Sequence, residues 1–468
     1  MKEILEKRTK WFEEKAIEMG LDFFPINWEV VPEEVLLEVM SYGLPTRARH
    51  WSYGQSYQYQ KLQGEMGMSK VYELVLNNDP SYAFLLDTNS DVANTMVIAH
   101  VIGHVHFFKH NYLFKQTDRK MVYHAAERAQ RVEDYIIQYG IEKVEHVMDI
   151  ALSIDKNIDW DRGIFRKPYP KKKKILKKNN KGEFDDLYGI SKPSFTEVTV
   201  NDSIPPFKEY DMLWFISNYA DLDPWEKDVF EIVRQESFYF YPQYRTKIMN
   251  EGLASYVHAE LMYLLEEEDL SSSEYLEFVK IHERVVQPGS NKLNINPYFL
   301  GFTILNDIKK RWDKKFEDGE SEITGFQKIL KVVEDEDDVS FLRRYLTQEI
   351  VDELKMFTYV SKFDRKNGEY IKIESKDRKD VAESILSKIY HYNSPLMYIE
   401  KASVHGLELV HESTNVGTLD PKHIEKVCEY LFEIWNGVID IKTIDDDGDT
   451  MHFTYDEEGF SYNGDKYS

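Results

Sequence analysis

The chain has 468 residues, of which 42% are hydrophobic, so it is long and apolar enough for more than one core and is not a disordered chain. Its formal net charge of -24 disfavours general binding to nucleic acid or to anionic membranes, because the average surface repels phosphate. The single cysteine, Cys428, excludes an internal disulfide and every multi-thiolate metal site, so a bound metal needs histidine and carboxylate ligands.

No targeting or membrane segment is expected from the sequence. The first residues, MKEILEKRTKWFEEKAIEMG, are charged and amphipathic and lack the apolar centre of a signal peptide. No apolar run reaches transmembrane length. We therefore expect a cytoplasmic protein without membrane insertion.

The segment that precedes the first histidine pair is predicted to mix helices with short strands. Apolar residues at helical spacing predict a helix that ends near Gly20, followed by a strand at INWEVV and a helix from Pro32 to Gly43. Two apolar runs between Val71 and Leu86, separated by the turn-forming NNDPS, predict a strand, a turn and a second extended segment.

The next helix, around IAHVIGHVHFF, is apolar on nearly every face, which predicts that it is buried. His100 and His104 lie one turn apart on it, close enough to share a tetrahedral metal. Chance pairs with this spacing are common, but buried imidazoles need a partner. Zinc peptidases of the HExxH type carry a catalytic Glu directly after the first His, whereas Val101 stands at that position here.

Two further histidines and a later helix add candidates. His106 and His110 have the same spacing but lie on another face, so they cannot share a metal with the first pair if the helix is regular. In NEGLASYVH, Glu251 and His258 fall on one helical face and can point into one cavity.

The rest of the chain predicts an insertion and a second domain. A basic, Pro-containing stretch at about 166–207 is expected to be a surface insertion, although its charge also suits an anion-binding arm. After an acidic boundary near 350, strand-like segments alternate with helices at 377–391 and 420–435. The predicted fold is α+β: a mainly helical, zincin-like domain at 1–345 with a small sheet, and a C-terminal α+β module at 350–468 with an antiparallel sheet.

The string NEGLASY resembles the helix that supplies the third zinc ligand in gluzincin metallo-aminopeptidases. That resemblance implies that Glu251 is a metal ligand beside His100 and His104, and that small residues let its helix approach closely. Two departures weaken a peptidase assignment: Glu251 follows the histidine pair at a much greater distance than in those enzymes, and the catalytic Glu is missing.

A larger resemblance spans about residues 12–312. The strings GLDFFPINWEVVP, YGLPTRARHWSYGQSYQ, KVYELVLNNDPSYAFLLD, AHVIGHVHFFKHN, KIMNEGLASYVH, VVQP and NINPYFLG follow the pattern of the stage V sporulation protein R, or SpoVR-like, family. The resemblance implies a link to spore cortex formation and to a serine kinase and a von Willebrand-type protein as partners. It carries no agreed activity. Relatives often have Asp where this chain has His106, so that position is a candidate for function.

Several other residues are candidates for a functional site, but each also has an ordinary structural explanation. Arg47, His50 and Trp51 lie in a Gly-containing turn and are candidates for substrate binding, or for simple loop packing. Glu236 is either a second metal ligand or a buried ion-pair partner, with the ion pair favoured. Tyr298 follows Pro297 at a helix start, where its phenol can stabilise an oxyanion or pack against the helix.

These candidates support two main hypotheses. In the first, a divalent metal, zinc by preference, activates water for a hydrolase or amidase that acts on cell-wall peptides or precursors, with His258, Glu236 or His106 as the displaced base and Tyr298 assisting. In the second, a zincin-like fold without its base binds a partner in a kinase-linked stress or sporulation system. A redox centre, which would prefer iron, is a third possibility.

Overall fold

A computed structural model describes most of the chain. The described residues are 2–44, 47–65, 73–169, 173–178, 194–199, 204–288, 296–364, 368–389, 391, 394–413, 418–445 and 448–463. They form an α+β protein in which helices predominate and the sheets are small. In this part of the chain, every helix is too short or too polar to cross a bilayer.

The elements follow one another in this order. The helices are α1 (Glu3–Glu18), α2 (Glu33–Tyr42), α3 (Trp51–Glu65), α4 (Asp91–His110), a 3-10 helix (Tyr112–Gln116), α5 (Met121–Tyr139), α6 (Ile141–Ser153), α7 (Met212–Tyr219), α8 (Pro224–Arg245), α9 (Lys247–Glu266), α10 (Ser272–Val285), α11 (Pro297–Glu317), α12 (Gly325–Asp335), α13 (Asp338–Tyr345), α14 (Gln348–Leu354), α15 (Arg378–Ile389) and α16 (Pro421–Trp435). The strands are β1 (Ile26–Val31), β2 (Glu73–Leu76), β3 (Ser81–Leu86), β4 (Lys173–Lys178), β5 (Ser194–Thr199), β6 (Thr358–Asp364), β7 (Gly368–Ser375), β8 (Met397–Ser403), β9 (Gly406–His411), β10 (Val438–Ile444), β11 (Thr450–Asp456) and β12 (Gly459–Asn463).

The chain divides into two compact units, each built from two separate stretches. One contains residues 1–145 and 236–393, and the other contains 146–235 and 394–468. The sequence predicted two domains, at 1–345 and 350–468. Whether these ranges fold independently stays a prediction. About half of the insertion predicted at 166–207 lies outside the described residues; the described part is 166–169, the antiparallel pair β4 and β5, and 204–207.

A three-stranded sheet in the first unit has the order β1-β3-β2. The predicted strand, turn and strand after Val71 form β2 and β3, which pair antiparallel with Glu73 opposite Leu85. β1 pairs parallel with β3, with Ile26 opposite Ser81, and the crossover between them contains α2 and α3. β3 is therefore the central strand, and β2 lies at an edge.

The second unit corrects the predicted antiparallel sheet. Its five strands have the order β12-β11-β10-β9-β8, and β9 and β10 run parallel, with Gly406 opposite Val438. The reason is that α16 connects them: neighbouring parallel strands need a crossover, which is usually a helix. The predicted strand MFTYVSKF forms β6, which pairs with β7 within the first unit and is no part of this sheet.

Helix α4 lies at the centre of the first unit, as its apolar sequence predicted. Ser90 caps its start by accepting a hydrogen bond from the backbone N–H of Ala93. Every residue from 92 to 108 is buried. The helix packs against α1, α9, β2 and β3, so any polar side chain on it must find its partner inside the protein.

Close helix packing brings α9 to the histidine pair. A Cβ on Gly103 of α4 would lie 2.7 Å from the Cα of Ala254, and one on Gly252 would lie 2.6 Å from the Cα of Gly301 in α11. Neither helix pair has room for a methyl group at these points. The small residues of NEGLASY thus do what the sequence predicted: they let α9 approach its neighbours closely.

Replacing Gly252 with alanine should destabilise the protein by about 1–3 kcal/mol, because the methyl group meets backbone that cannot rotate away. Gly54 is the matched control, since it lies in α3 with nothing within 4 Å of its missing Cβ. Gly54→Ala should leave stability unchanged or raise it by about 0.5–1 kcal/mol. Urea unfolding of both variants tests this, and equal stability of the two would contradict the packing.

Candidate metal centre

Four metal-ligating side chains from three elements converge in the first unit. Glu73 comes from the start of β2, His100 and His104 from α4, and Glu251 from α9. One nitrogen or oxygen atom of each lies within 4.8 Å of the others. The three residues predicted as ligands are therefore together, and a second carboxylate joins them.

The distances between the donor atoms suit a small divalent ion. His100 Nε2 lies 3.1 Å from Glu73 Oε1 and 3.6 Å from Glu251 Oε2. His104 Nε2 lies 3.8 Å and 3.4 Å from the same two oxygens. Neighbouring ligands around a tetrahedral zinc are about 3.3–3.6 Å apart, given its bond lengths. The residues thus fit a metal without rearrangement of the backbone.

The cluster is sealed on one side and open on the other. The imidazoles of His100 and His104 are only 3% and 7% exposed, whereas the carboxylate side chains of Glu73 and Glu251 are 21% and 18% exposed. Solvent or a ligand can therefore reach the carboxylate side, while the histidine side is closed by packing.

Opposite charges hold the cluster together when no metal is bound. Burial alone would raise the pKa of Glu73 and of Glu251, but the adjacent imidazoles outweigh it and lower the pKa of both. Burial would likewise lower the pKa of His104, yet the two carboxylates raise it to about 10, and they also raise the pKa of His100. At neutral pH the metal-free site thus contains two carboxylates and a protonated His104.

Two buried atoms of the cluster have no hydrogen-bond partner, namely His100 Nε2 and Glu251 Oε2. Buried polar atoms nearly always have a partner, so these two point to a missing ligand. Two carboxylates and two neutral imidazoles carry a charge of about -2, which a divalent cation would balance. The donor set of imidazole and carboxylate suits zinc, iron or manganese.

A chain of three imidazoles leads away from His100. His100 Nδ1 lies 2.8 Å from His258 Nδ1, and His258 Nε2 lies 2.7 Å from His282 Nδ1. If His100 Nε2 faces a metal, its Nδ1–H must donate to His258, whose Nε2–H must then donate to His282. Burial, together with the charge of His100, keeps the pKa of His258 well below its usual value. His258 is thus a neutral group that orients His100.

His104 is oriented in a similar way, from α9. Its Nδ1–H donates to Asn250 Oδ1 at 2.8 Å, which leaves Nε2 for the cluster. The start of α9 is fixed in turn by Asp338, whose carboxylate accepts hydrogen bonds from the N–H groups of Ile248 and Met249. Each histidine thus has a side-chain partner that fixes the orientation of its ring, as carboxylate, carbonyl or water partners do for metal-bound histidines.

Tyr298 borders the cluster from the start of α11. Its ring stacks on His100 with the ring centres 6.1 Å apart, and its hydroxyl hydrogen-bonds to Glu251. Burial and the nearby carboxylates raise the pKa of this phenol well above its usual value. It remains a protonated donor, as the predicted role in stabilising an oxyanion requires.

The other predicted site residues have partners of their own. Arg47 forms an ion pair with Glu236 at 2.6 Å, and its guanidinium lies over the ring of Tyr53. Glu236 is thus the buried ion-pair partner that the sequence favoured. His50 packs against the ring of Trp51, which is 53% exposed at the start of α3. Their predicted role in substrate binding stays a prediction.

His106 points away from the four donors, as its position on the helix predicted. Its Nδ1 lies 3.0 Å from the backbone carbonyl oxygen of Asp22, and its ring stacks on His110. Burial lowers the pKa of His106 to about 4, so it is neutral. Its role as a displaced base stays a prediction, but it does not belong to the group of four donors.

Sequence reasoning missed Glu73, Asn250 and His282. Glu73 is the one charged residue in the apolar run VYELVL. A lone carboxylate in a strand just before a buried HxxxH helix is a signal that could have identified it. Asn250 and His282 are ordinary helical residues whose role appears only when α9 and α10 are packed on α4.

Comparison with known proteins agrees with the motifs. The model of the family described as SpoVR like protein matches residues 1–393. A relative from Escherichia coli strain K12, named Uncharacterized protein YcgB, is 27% identical over 476 aligned residues. The alignment covers 92% of this chain and 89% of the relative. No solved structure matches. The protein therefore belongs to the SpoVR-like family.

Proposed function

We propose that this protein is a metal-dependent hydrolase that cleaves amide bonds. The observation that supports it is a cluster of two imidazoles and two carboxylates that is sealed on its histidine side and open on its carboxylate side. A purely structural metal site is normally closed on all sides, whereas a catalytic site keeps a position for water or substrate. When bound, a divalent metal there would polarise a carbonyl and make water more acidic.

In this proposal His100, His104 and Glu251 hold the metal, in a zincin-like arrangement of an HxxxH helix and a second helix. Val101 leaves no carboxylate after the first histidine, but Glu73 brings one to the same cluster from β2. We assign to Glu73 the proton transfer that the missing Glu would perform. Its Oε1 accepts a proton from the attacking water, and the hydroxyl of Tyr298 donates a hydrogen bond to the developing oxyanion.

The substrate class and the partners follow from the family link. Cell-wall peptides or their precursors are the proposed substrates, because SpoVR-like proteins are linked to spore cortex formation. A serine kinase and a von Willebrand-type protein are the proposed partners in the same system, within the cytoplasm. The site itself supports only the chemical class, an amide that can reach a partly accessible pair of carboxylates.

A non-catalytic, partner-binding role is the second candidate. Val101 favours it, since this side chain is completely buried at the position of the usual base. In that case the metal would stabilise the fold and no carboxylate would transfer protons. The two candidates differ in what Glu73 does.

Glu73→Gln should retain the metal but lower hydrolysis by about 100-fold or more, because the amide cannot accept a proton. Glu251→Gln is the matched control and should lose metal affinity. Metal content by elemental analysis, and release of fragments from isolated cell-wall stem peptides by mass spectrometry, measure the two effects. Hydrolysis by Glu73→Gln at the wild-type rate would contradict this role, and metal loss equal to that of Glu251→Gln would make Glu73 a ligand.

A further inference from the structure

The edge strand β2 has one side without a strand partner in the described chain. The sheet order β1-β3-β2 leaves β3 as its only neighbour there. Antiparallel strands point the N–H and C=O groups of alternate residues to opposite sides. Two of the four residues from Glu73 to Leu76 therefore direct backbone groups away from β3, and these groups bond to no described side chain or loop.

This edge has only part of the usual protection against pairing, since β2 is short and carries one charge, Glu73. Natural edge strands carry Lys, Pro or bulges, which keep other chains from adding to the sheet. The sequence of β2 is ELVL, with neither a basic residue nor a proline, and its pairing with β3 runs in unbroken register. Glu73, Leu74 and Val75 are only half-buried. An apolar, regular edge of this kind suits a bound strand.

The edge begins at the metal cluster. Glu73 is the first residue of β2, and its carboxylate is one of the four converging donors. A strand rises about 3.3 Å per residue, so the edge extends about 10 Å from Glu73 to Leu76. A peptide of three or four residues that paired with this edge would pass directly beside the open, carboxylate side of the cluster.

We infer that the substrate is an extended peptide that pairs with the free edge of β2 and presents an amide to the cluster of Glu73, His100, His104 and Glu251. The recognition is of peptide backbone, because the edge offers alternating N–H and C=O groups at strand spacing and glycans lack the matching pattern. In the reaction the amide C–N bond breaks, and water supplies OH to the carbonyl carbon and a proton to the nitrogen. The catalytic part of this inference depends on the proposed function, whereas the pairing does not.

The test compares two probes, an acetylated tetra-alanine hydroxamate and the same compound with N-methylated amides. The N-methylated probe keeps the side chains and the metal-binding group but loses its backbone donors. We expect the unmethylated probe to bind at least about 10-fold more tightly and to protect the amides of residues 74–76 from hydrogen exchange. Equal binding of the two probes, or no protection in β2, would overturn the inference.

Two proline variants and a metal-site variant complete the design. Leu74→Pro and Val75→Pro each remove one N–H, of which one points to β3 and the other to the free edge. The proline that removes the N–H facing away from β3 should keep wild-type stability and should lose the preference for the unmethylated probe. If that variant keeps the preference, the inference is overturned. In Glu251→Gln, acetyl tetra-alanine amide should still distinguish methylated from unmethylated backbone. If the metal assignment is wrong, only the metal content will differ from expectation. If the pairing is wrong, the methylated and unmethylated probes will bind equally.

Discussion

Replacing His100 with alanine should lower the affinity for the proposed divalent metal by more than about 100-fold, the largest loss usually found when a residue that only orients a metal ligand is removed. The reason is that His100 Nε2 is a buried atom without a hydrogen-bond partner and lies 3.1 Å and 3.6 Å from the two carboxylate oxygens. Competition with a fluorescent chelator, after removal and return of metal, measures the change.

The matched control is His110→Ala, which removes a histidine from the same helix and from an HxxxH pair with the same spacing. His110 contacts Asp22 and is not among the four donors. The control should bind metal as the wild type does. Equal affinity of the His100 variant and the wild type would contradict the assignment of ligands.

Metal binding should release protons and strengthen as pH rises. The metal needs neutral imidazoles, but in the metal-free protein the carboxylates raise the pKa of His104 to about 10, above its ordinary 6.5, and raise that of His100 as well. At pH 7 His104 must therefore lose a proton on binding, and the raised pKa of His100 adds to this release. The carboxylates have lowered pKa values and release none in this range.

Calorimetry in buffers with different ionisation enthalpies measures this release directly, and we expect at least about one proton per metal. The metal affinity should fall as pH falls from 10 toward 6.5, the range that the shifted pKa of His104 defines. His110→Ala is the control, because His110 is not among the four donors and its loss should leave the proton release on metal binding unchanged. An affinity that does not change between pH 6.5 and 9 would contradict the charge state described for the site.

The two histidines were predictable from a local signal, whereas Glu251 was predicted from the resemblance of NEGLASY to a gluzincin helix. The helix around His100 is apolar on nearly all sides, so its burial follows from sequence. The small residues Gly252 and Ala254 next to Glu251 indicated close helix packing, which the contact of Gly103 with Ala254 confirms. The local sequence pattern thus specifies whether each helix is buried and whether it can pack closely.

The fourth donor and the residues that orient the two histidines depend on tertiary packing. Glu73 belongs to the site because β2 is placed at the sheet edge beside α4, and sheet order is not encoded in the local pattern of one strand. The parallel pairing of β9 with β10 escaped prediction for a related reason. Alternating apolar residues identify strands but do not give their direction, which here follows from the crossover through α16.

The most direct test of the metal centre is an anomalous difference map from crystals of the protein reconstituted with zinc or another divalent metal. We expect one peak per chain, bound by His100 Nε2, His104 Nε2 and Glu251 Oε2, with Glu73 Oε1 beside it. The absence of a peak there, with the carboxylates bonded directly to protonated imidazoles at saturating metal, would contradict it.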